Sequence, residues 1–270
     1  MKYEKIKSKI DEIISERDFL RRLLYAGLNL LLLRAWYVKD EVKNFFKSKN
    51  ENEKIKVLDA GCGFGQYSYF IAKKFKNSEV LGIDINEQRI NDCEKFARRK
   101  KIENLKFELA DLTKLEQTEK FDLILAIDVM EHIEDDVKVF ENFFKALKRG
   151  GFLIISTPSN LGGSDVHSDE DESFIEEHVR TGYSVEEIKL KLENSGFKNV
   201  NVRYTYGRWG QLSWKLMMKF PVMMLGKSFA FAMLLPLYYL LVSIPGIFLM
   251  WLDKKVRNEI GTGLIITARK

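Results

Sequence analysis

Cysteine is scarce. Cys62 and Cys93 are the only two among 270 residues, and their spacing fits neither a disulfide framework nor a zinc site, so both read as reduced thiols. Charge of one dominant sign is missing too, since a net charge of +5 on 31% charged residues gives no global argument for a nucleic-acid partner. No secretory leader is visible, because residues 1–22 are densely charged in both signs and offer no apolar core. The main domain is therefore expected to face the cytosol. Internal repeats and low-complexity tracts are absent. The last absence is local: from Ser228 through Leu252 no residue is charged, which by length alone meets the requirement of a membrane helix.

The most informative stretch is Val57-Leu-Asp-Ala-Gly-Cys-Gly-Phe-Gly65. An apolar run, Ile55 to Leu58, ends in Asp59, and Gly61, Gly63 and Gly65 lead into a helix-like segment from Gln66 to Phe75. Glycines suit such a turn because a Cβ would hold the backbone away from a ligand and disfavour positive φ. The next strand-like run, Glu79 to Ile83, ends in Asp84, about twenty residues beyond the glycines, where a carboxylate meets the ribose hydroxyls of a nucleoside. Asn86 is a plausible N-cap for the helix that follows. A third run, Leu105 to Leu109, precedes Ala110-Asp111-Leu112. A fourth, Phe121 to Ala126, leads to Asp128-Val129-Met130-Glu131-His132, and a helical stripe of Val137, Phe140, Phe144 and Leu147 stops at Arg149-Gly150-Gly151. Phe152 to Ser156 makes a fifth strand.

The G-x-G-x-G spacing, the acidic residue two positions before it, Asp84, the Ala-Asp-Leu segment and the Glu-His pair after strand four resemble the class I S-adenosylmethionine (SAM)-dependent methyltransferases, in particular the type 11, quinone-methylating kind. The resemblance implies a Rossmann-like, doubly wound α/β fold with seven strands in the order 3-2-1-4-5-7-6. Strand seven would be antiparallel, and Gly263 to Ala268 fits it, as Val200 to Tyr206 fits strand six. It also implies SAM as cofactor and S-adenosylhomocysteine as product. The backbone around Gly61, Gly63 and Gly65 would place SAM, with Asp59 near the methionine portion, Asp84 on the ribose hydroxyls and Asp111 with Leu112 at the adenine; Cys62, Ile85 and Asp128 are further cofactor-binding candidates.

His132, His167 and His178, the three histidines of the chain, all follow strand four, on segments that should face the acceptor. Asp128, Glu131 and His132 lie at i, i+3 and i+4, so a turn of helix would gather them. A similar trio holds a divalent cation in quinone O-methyltransferases. Glu131 and His132 are equally candidates for catalytic work as a base, or for a structural part. After a polar segment, Thr157 to Glu177, His178, Arg180 and Tyr183 are candidates for binding a polar head group, and Ser184 opens a helix with capping-box spacing.

Three regions are expected: an N-terminal helical lid (1–50), the SAM-binding domain (51–208 plus 261–270), and an apolar helical insertion (209–260). In the first, helices are expected over Lys2 to Arg17 and Phe19 to Phe46, with leucines at helical spacing and an apolar run at Leu30 to Leu33. The insertion bears basic flanks, including Lys215, Lys219, Lys227, Lys254 and Lys255, and Trp209, Trp214 and Trp251 as interfacial rings. A single crossing would put strand seven on the wrong side of the membrane, and Pro245-Gly246 offers a place to reverse. These features point to methyl transfer to a lipophilic acceptor, an isoprenoid quinone or another lipid, by a cytoplasmic protein attached peripherally or monotopically to an anionic membrane. Rival readings are a methyltransferase for a soluble small molecule, a non-catalytic SAM-binding membrane adaptor and a nicotinamide-dependent oxidoreductase. The last needs its third glycine one residue later and a Tyr-x-x-x-Lys pair that does not occur in the expected region.

Overall fold

In the computed structural model, residues 18–162 and 179–270 are described. The expected helix from Lys2 to Arg17, His167 and His178 lie outside them. The described residues divide into two compact units: a sheet unit of 40–160, 179–203 and 264–270, and a helical unit of 18–39, 161–162 and 204–263. The N-terminal helix and the apolar insertion thus share one unit.

The sheet has seven strands in the order β3-β2-β1-β4-β5-β7-β6: β1 (Ile55–Ala60), β2 (Ser78–Asp84), β3 (Leu105–Leu109), β4 (Phe121–Ile127), β5 (Leu147–Pro158), β6 (Lys198–Thr205) and β7 (Gly263–Arg269), which is antiparallel. Crossover helices α3 (Gln66–Lys74), α4 (Glu87–Arg99) and α5 (Asp136–Ala146) follow β1, β2 and β4, and α6 (Val185–Asn194) precedes β6. β1 and β4 are buried almost throughout, as central parallel strands covered on both faces must be. Asn86 caps α4 by accepting from the Arg89 amide at 3.0 Å, and Ser184 caps α6 by accepting from the Glu187 amide at 3.0 Å.

The helix after β4 differs from the expected stripe. Its buried face is Val139, Phe140, Phe143 and Ala146, while Val137 is exposed. Leu147 already belongs to β5, pairing with Phe121 ahead of a bulge. The amphipathic stripe is displaced because Asp136, not Val137, turns inward.

Two helices, α1 (Asp18–Leu31) in the helical unit and α2 (Leu33–Lys47), whose residues from Asp40 on belong to the sheet unit, replace the single helix expected over Phe19 to Phe46. The break at Leu32 lets Leu32 and Leu33 turn inward while Leu30 stays outside, and the Trp36 indole N–H donates to the Asn29 carbonyl at 3.1 Å. The insertion is a helical hairpin. Its first leg runs without interruption through α7 (Arg208–Trp214), a π turn at Lys215–Lys219 and α8 (Phe220–Lys227); a tip at Ser228–Leu234 leads to the second leg, α9 (Leu235–Lys255). The reversal expected at Pro245-Gly246 is therefore corrected, because α9 continues through both. Gly246 is needed for packing: a Cβ there would collide with the Met217 thioether, and its carbonyl accepts from Ser213 Oγ at 2.9 Å. The π turn leaves carbonyls outside the ordinary ladder, and Tyr238 and Tyr239 hydroxyls donate to those of Leu216 and Met217 at 2.5 and 2.9 Å. At the base, Asp253 is fully buried and accepts from the Gly210 amide (2.9 Å), the Tyr37 hydroxyl (2.9 Å) and the Asn258 amide group (3.2 Å).

Candidate cofactor and acceptor site

Parallel register brings the strand ends to one rim. Ala60 pairs with Ile83 and Ala126, Asp84 with Leu109, and Ile127 with Ser156, so the segments after β1, β2, β3 and β4 emerge at the carboxyl edge, where open α/β sheets bind ligands. Gly61, Gly63 and Gly65 have φ of 69°, 52° and 75°, a left-handed region costly for residues with a Cβ. The space where Gly63 would carry a Cβ is empty, which leaves that backbone open to a ligand. Asp84 ties the rim together: Oδ2 accepts from the Gly63 amide at 2.8 Å and Oδ1 from the Asn86 amide at 2.9 Å. Each oxygen keeps a second lone pair for ribose hydroxyls. Ile85, beside it, is 76% exposed and offers an apolar surface outside the core.

Asp111 closes the neighbouring turn by accepting from the Thr113 amide (2.9 Å) and hydroxyl (2.7 Å); these bonds hold its carboxyl below the usual carboxylate range. Leu112 is buried beneath it. Asn142 of α5, which the sequence reading overlooked, donates to the Leu112 and Thr113 carbonyls at 2.9 and 3.0 Å. Its signal was an amide on the buried face of a helix.

Asp59, expected near the methionine portion, has a structural part at the end of β1. It is buried, accepts from the Ser68 amide at 2.9 Å and from the Ser68 hydroxyl, and so fastens the start of α3 to the end of β1. Burial pushes its pKa up to about 6 against the lowering effect of the Ser68 bonds. The Cys62 thiol is buried and held well above its ordinary pKa by desolvation and then by Asp59, a packing residue whose amide donates to the Ile83 carbonyl at 2.8 Å.

On the acceptor side, Asp128 has a φ of 52°, strain tolerable for an aspartate and common at functional rims; its amide donates to the Ser156 carbonyl at 2.8 Å. Met130–His132 is a single 3-10 turn, not the expected α-helical turn. Glu131 is buried, and its carboxylate accepts from Thr157 Oγ1 at 3.1 Å. Among the described residues no group of three His, Cys, Asp or Glu side chains is arranged to hold a metal ion, so the trio of Asp128, Glu131 and His132 is not assembled as the spacing predicted. Glu131 braces the turn, and His132 stands exposed on it.

Arg180 and Tyr183 also differ from the head-group expectation. Tyr183 is fully buried, and its hydroxyl donates to Asp136 at 2.6 Å. Arg180 pairs with Asp136 and donates to the Ile133 and Glu134 carbonyls at 2.7 and 3.0 Å, while Lys191 reaches the same Asp136 oxygen at 2.8 Å. Burial alone would raise the Asp136 pKa, but bonds from Lys191 and Tyr183 and the Arg180 charge outweigh it and leave it lowered. These residues clamp the turn that carries His132 and are spent on one another.

Residues 51–212 match the family model of a methyltransferase domain. The chain belongs to this family. It is a class I SAM-dependent methyltransferase by its motifs and strand order, and the open glycine turn, the Asp84 carboxylate and exposed Ile85 fit SAM as its cofactor. Phosphoethanolamine N-methyltransferase 1 of Triticum aestivum is 36% identical over 213 residues, 73% of this chain and 40% of that protein. Ubiquinone biosynthesis O-methyltransferase of Pelagibacter ubique is 29% identical over 128 residues, 46% of this chain and 52% of that one. The methyltransferase spans less than half the length of the plant relatives it matches. In fold it resembles phosphoethanolamine N-methyltransferase 2 of Haemonchus contortus, solved with SAM, at a TM-score of 0.63 and 17% identity over 97% of this chain and 60% of that one.

Proposed function

We propose that this methyltransferase transfers the methyl group of SAM to a lipophilic acceptor resident in a membrane, from the cytoplasmic side. The observation that carries the reading is the outward face of α9. Gly246, Met250 and Asp253 form its buried face. On the opposite face Leu237, Leu240, Leu241, Ile244, Phe248 and Trp251 are all exposed, Leu240 at 72% and Ile244 at 78%. A helix apolar on its solvent side as well as its packed side belongs against a membrane or a partner. Ala230–Lys255 is long and apolar enough to cross a membrane by length and composition, and little of it is buried. Basic residues accompany it at Lys215, Lys219, Lys254 and Lys255, and the one acid between Arg208 and Arg257, Asp253, is fully buried; this suits an anionic surface.

Bound SAM supplies a methyl group already activated on a sulfonium. The protein then has to align the acceptor and, for a phenol or catechol, remove its proton. His132 is the proposed base, exposed on a turn that Glu131, Arg180 and Asp136 hold in place. A second reading, methylation of a soluble phosphoamine, draws on the 36% identity to the wheat protein named phosphoethanolamine N-methyltransferase 1.

Methyl-labelled SAM, incubated with the protein and either membrane lipid extract or phosphoethanolamine, separates the readings. Label in the organic phase supports the lipid acceptor, label on phosphoethanolamine alone replaces it, and label in neither fraction leaves a SAM-binding adaptor. With the accepted substrate, His132→Ala should reduce turnover while leaving SAM affinity nearly unchanged.

A further inference from the structure

Helix α1 is built the wrong way round for water. Phe19, Leu23 and Leu30 are exposed, Phe19 at 72% and Leu23 at 57%, while Arg21 is 2% exposed and Tyr25 is buried. At about 100° per residue, Phe19, Leu23 and Leu30 fall within roughly 40° of one another, and Arg21 and Tyr25 lie on the other side. A helix covering a soluble core turns its apolar stripe inward and leaves arginine in solvent. Here the guanidinium goes inward and Phe19, Leu23 and Leu30 go outward, with Leu20, Leu24, Leu28 and Leu31 half-buried between the two sides; α9 likewise holds Asp253 inside and Leu240 and Ile244 outside.

We infer that α1 is a second lipid-facing helix, whose Phe19, Leu23 and Leu30 face rests on a bilayer carrying anionic headgroups. The inference rests on the membrane reading of α9 and extends it to the whole helical unit, in which α1 and α9 both occur. Charge selects the occupant. Arg22 is exposed beside Leu23, and among the described residues of this unit the exposed acid, Glu259, is outnumbered by exposed bases that include Arg208, Lys255 and Arg257. Three apolar side chains flanked by arginine suit shallow, in-plane contact, not a crossing: α1 has 14 residues, too few to span a hydrocarbon core that needs about 20.

The test uses the full chain with Leu23→Cys, labelled with a polarity-sensitive fluorophore; Cys62 and Cys93 are buried, so a brief reaction favours position 23. Vesicles of phosphatidylcholine mixed with phosphatidylserine should shift the emission to the blue and quench it when they carry brominated acyl chains. In parallel, Leu23→Asp should weaken vesicle affinity about tenfold, leaving S-adenosylhomocysteine affinity and the melting temperature unchanged. If the native protein floats with vesicles but the label does not respond and Leu23→Asp binds normally, the inference about α1 fails and the α9 reading stands. If the native protein does not float at all, both fail. A blue shift that grows with protein concentration without lipid, matched by a dimer in light scattering, would assign the face to a second copy and overturn the proposal.

Discussion

The two units solve opposite problems. In the sheet unit, apolar residues are inside and two buried carboxylates meet cations: Asp136 meets Arg180 and Lys191, and Asp122 of β4 meets Lys148 at 2.8 Å. At its carboxyl rim, three glycines and Asp128 take positive φ. In the helical unit, Arg21 and Asp253 are inside, while rows of large apolar residues on α1 and α9 are outside. Folding stability explains the first pattern. The second is a surface shaped for a non-aqueous neighbour, because leaving six large side chains of one helix face in water forfeits roughly 1.5–3 kcal/mol for each that could have been fully buried.

The largest effect should come from breaking the charge balance of the sheet unit. Asp136→Ala leaves Arg180 and Lys191 without their shared carboxylate in a site that is almost closed to water, and should cost about 3–5 kcal/mol of stability. Denaturant unfolding measures it. Because the Asp136 pKa is lowered on folding, its contribution is complete above the ordinary carboxylate pKa and is lost as pH falls through the lowered one. A variant as stable as the native protein would mean that the clamp is slack.

Asp84→Ala tests the rim apart from the core. It removes the carboxylate proposed for ribose and the acceptor of the Gly63 and Asn86 amides, so S-adenosylhomocysteine affinity should fall by about 2–4 kcal/mol, roughly 30- to 1000-fold. Calorimetry that found affinity unchanged would detach the glycine turn from the cofactor.

For the helical unit, Leu240→Asp combined with Ile244→Asp sharpens the contrast directly. Exposed positions should tolerate the change within about 0.5 kcal/mol of stability, yet vesicle affinity should drop on the order of a hundredfold, since two charges enter the lipid-facing stripe. A large loss of stability instead would show that this face is packed against protein, and the comparison between the units would collapse.

The sequence announced what is local. The glycine triplet, the carboxylates after successive strands and the caps at Asn86 and Ser184 depend on neighbours within a few residues, and they lie where the spacing puts them. Long-range partners were not legible. Arg180 and Tyr183 look like a polar binding set until Asp136, 44 and 47 residues away, claims them both. Glu131 reads from spacing as a candidate base, metal ligand or structural residue, and its buried bond to Thr157 was not legible there. Pro245-Gly246 reads as a turn by local rules, but the need for a small residue against Met217 keeps it helical.

The smallest effect concerns Asp59, which separates a buried carboxylate with a cationic partner from one without. Asp136 has arginine and lysine; Asp59 has only the Ser68 amide and hydroxyl, and burial raises its pKa to about 6. A carboxyl whose pKa is higher folded than unfolded stabilises the fold fully below the unfolded value near 4, and that contribution disappears as pH rises through about 6. At pH 8 the ionised group is therefore a liability of about 1–3 kcal/mol, partly offset by the Ser68 bonds. Asp59→Asn keeps an oxygen for Ser68 without the charge. It should raise the melting temperature at pH 8 by a few degrees and flatten the dependence of stability on pH between about 4 and 6, whereas a variant less stable at pH 8, with the native pH profile intact, would show that the Ser68 bonds to the ionised oxygen outweigh its desolvation.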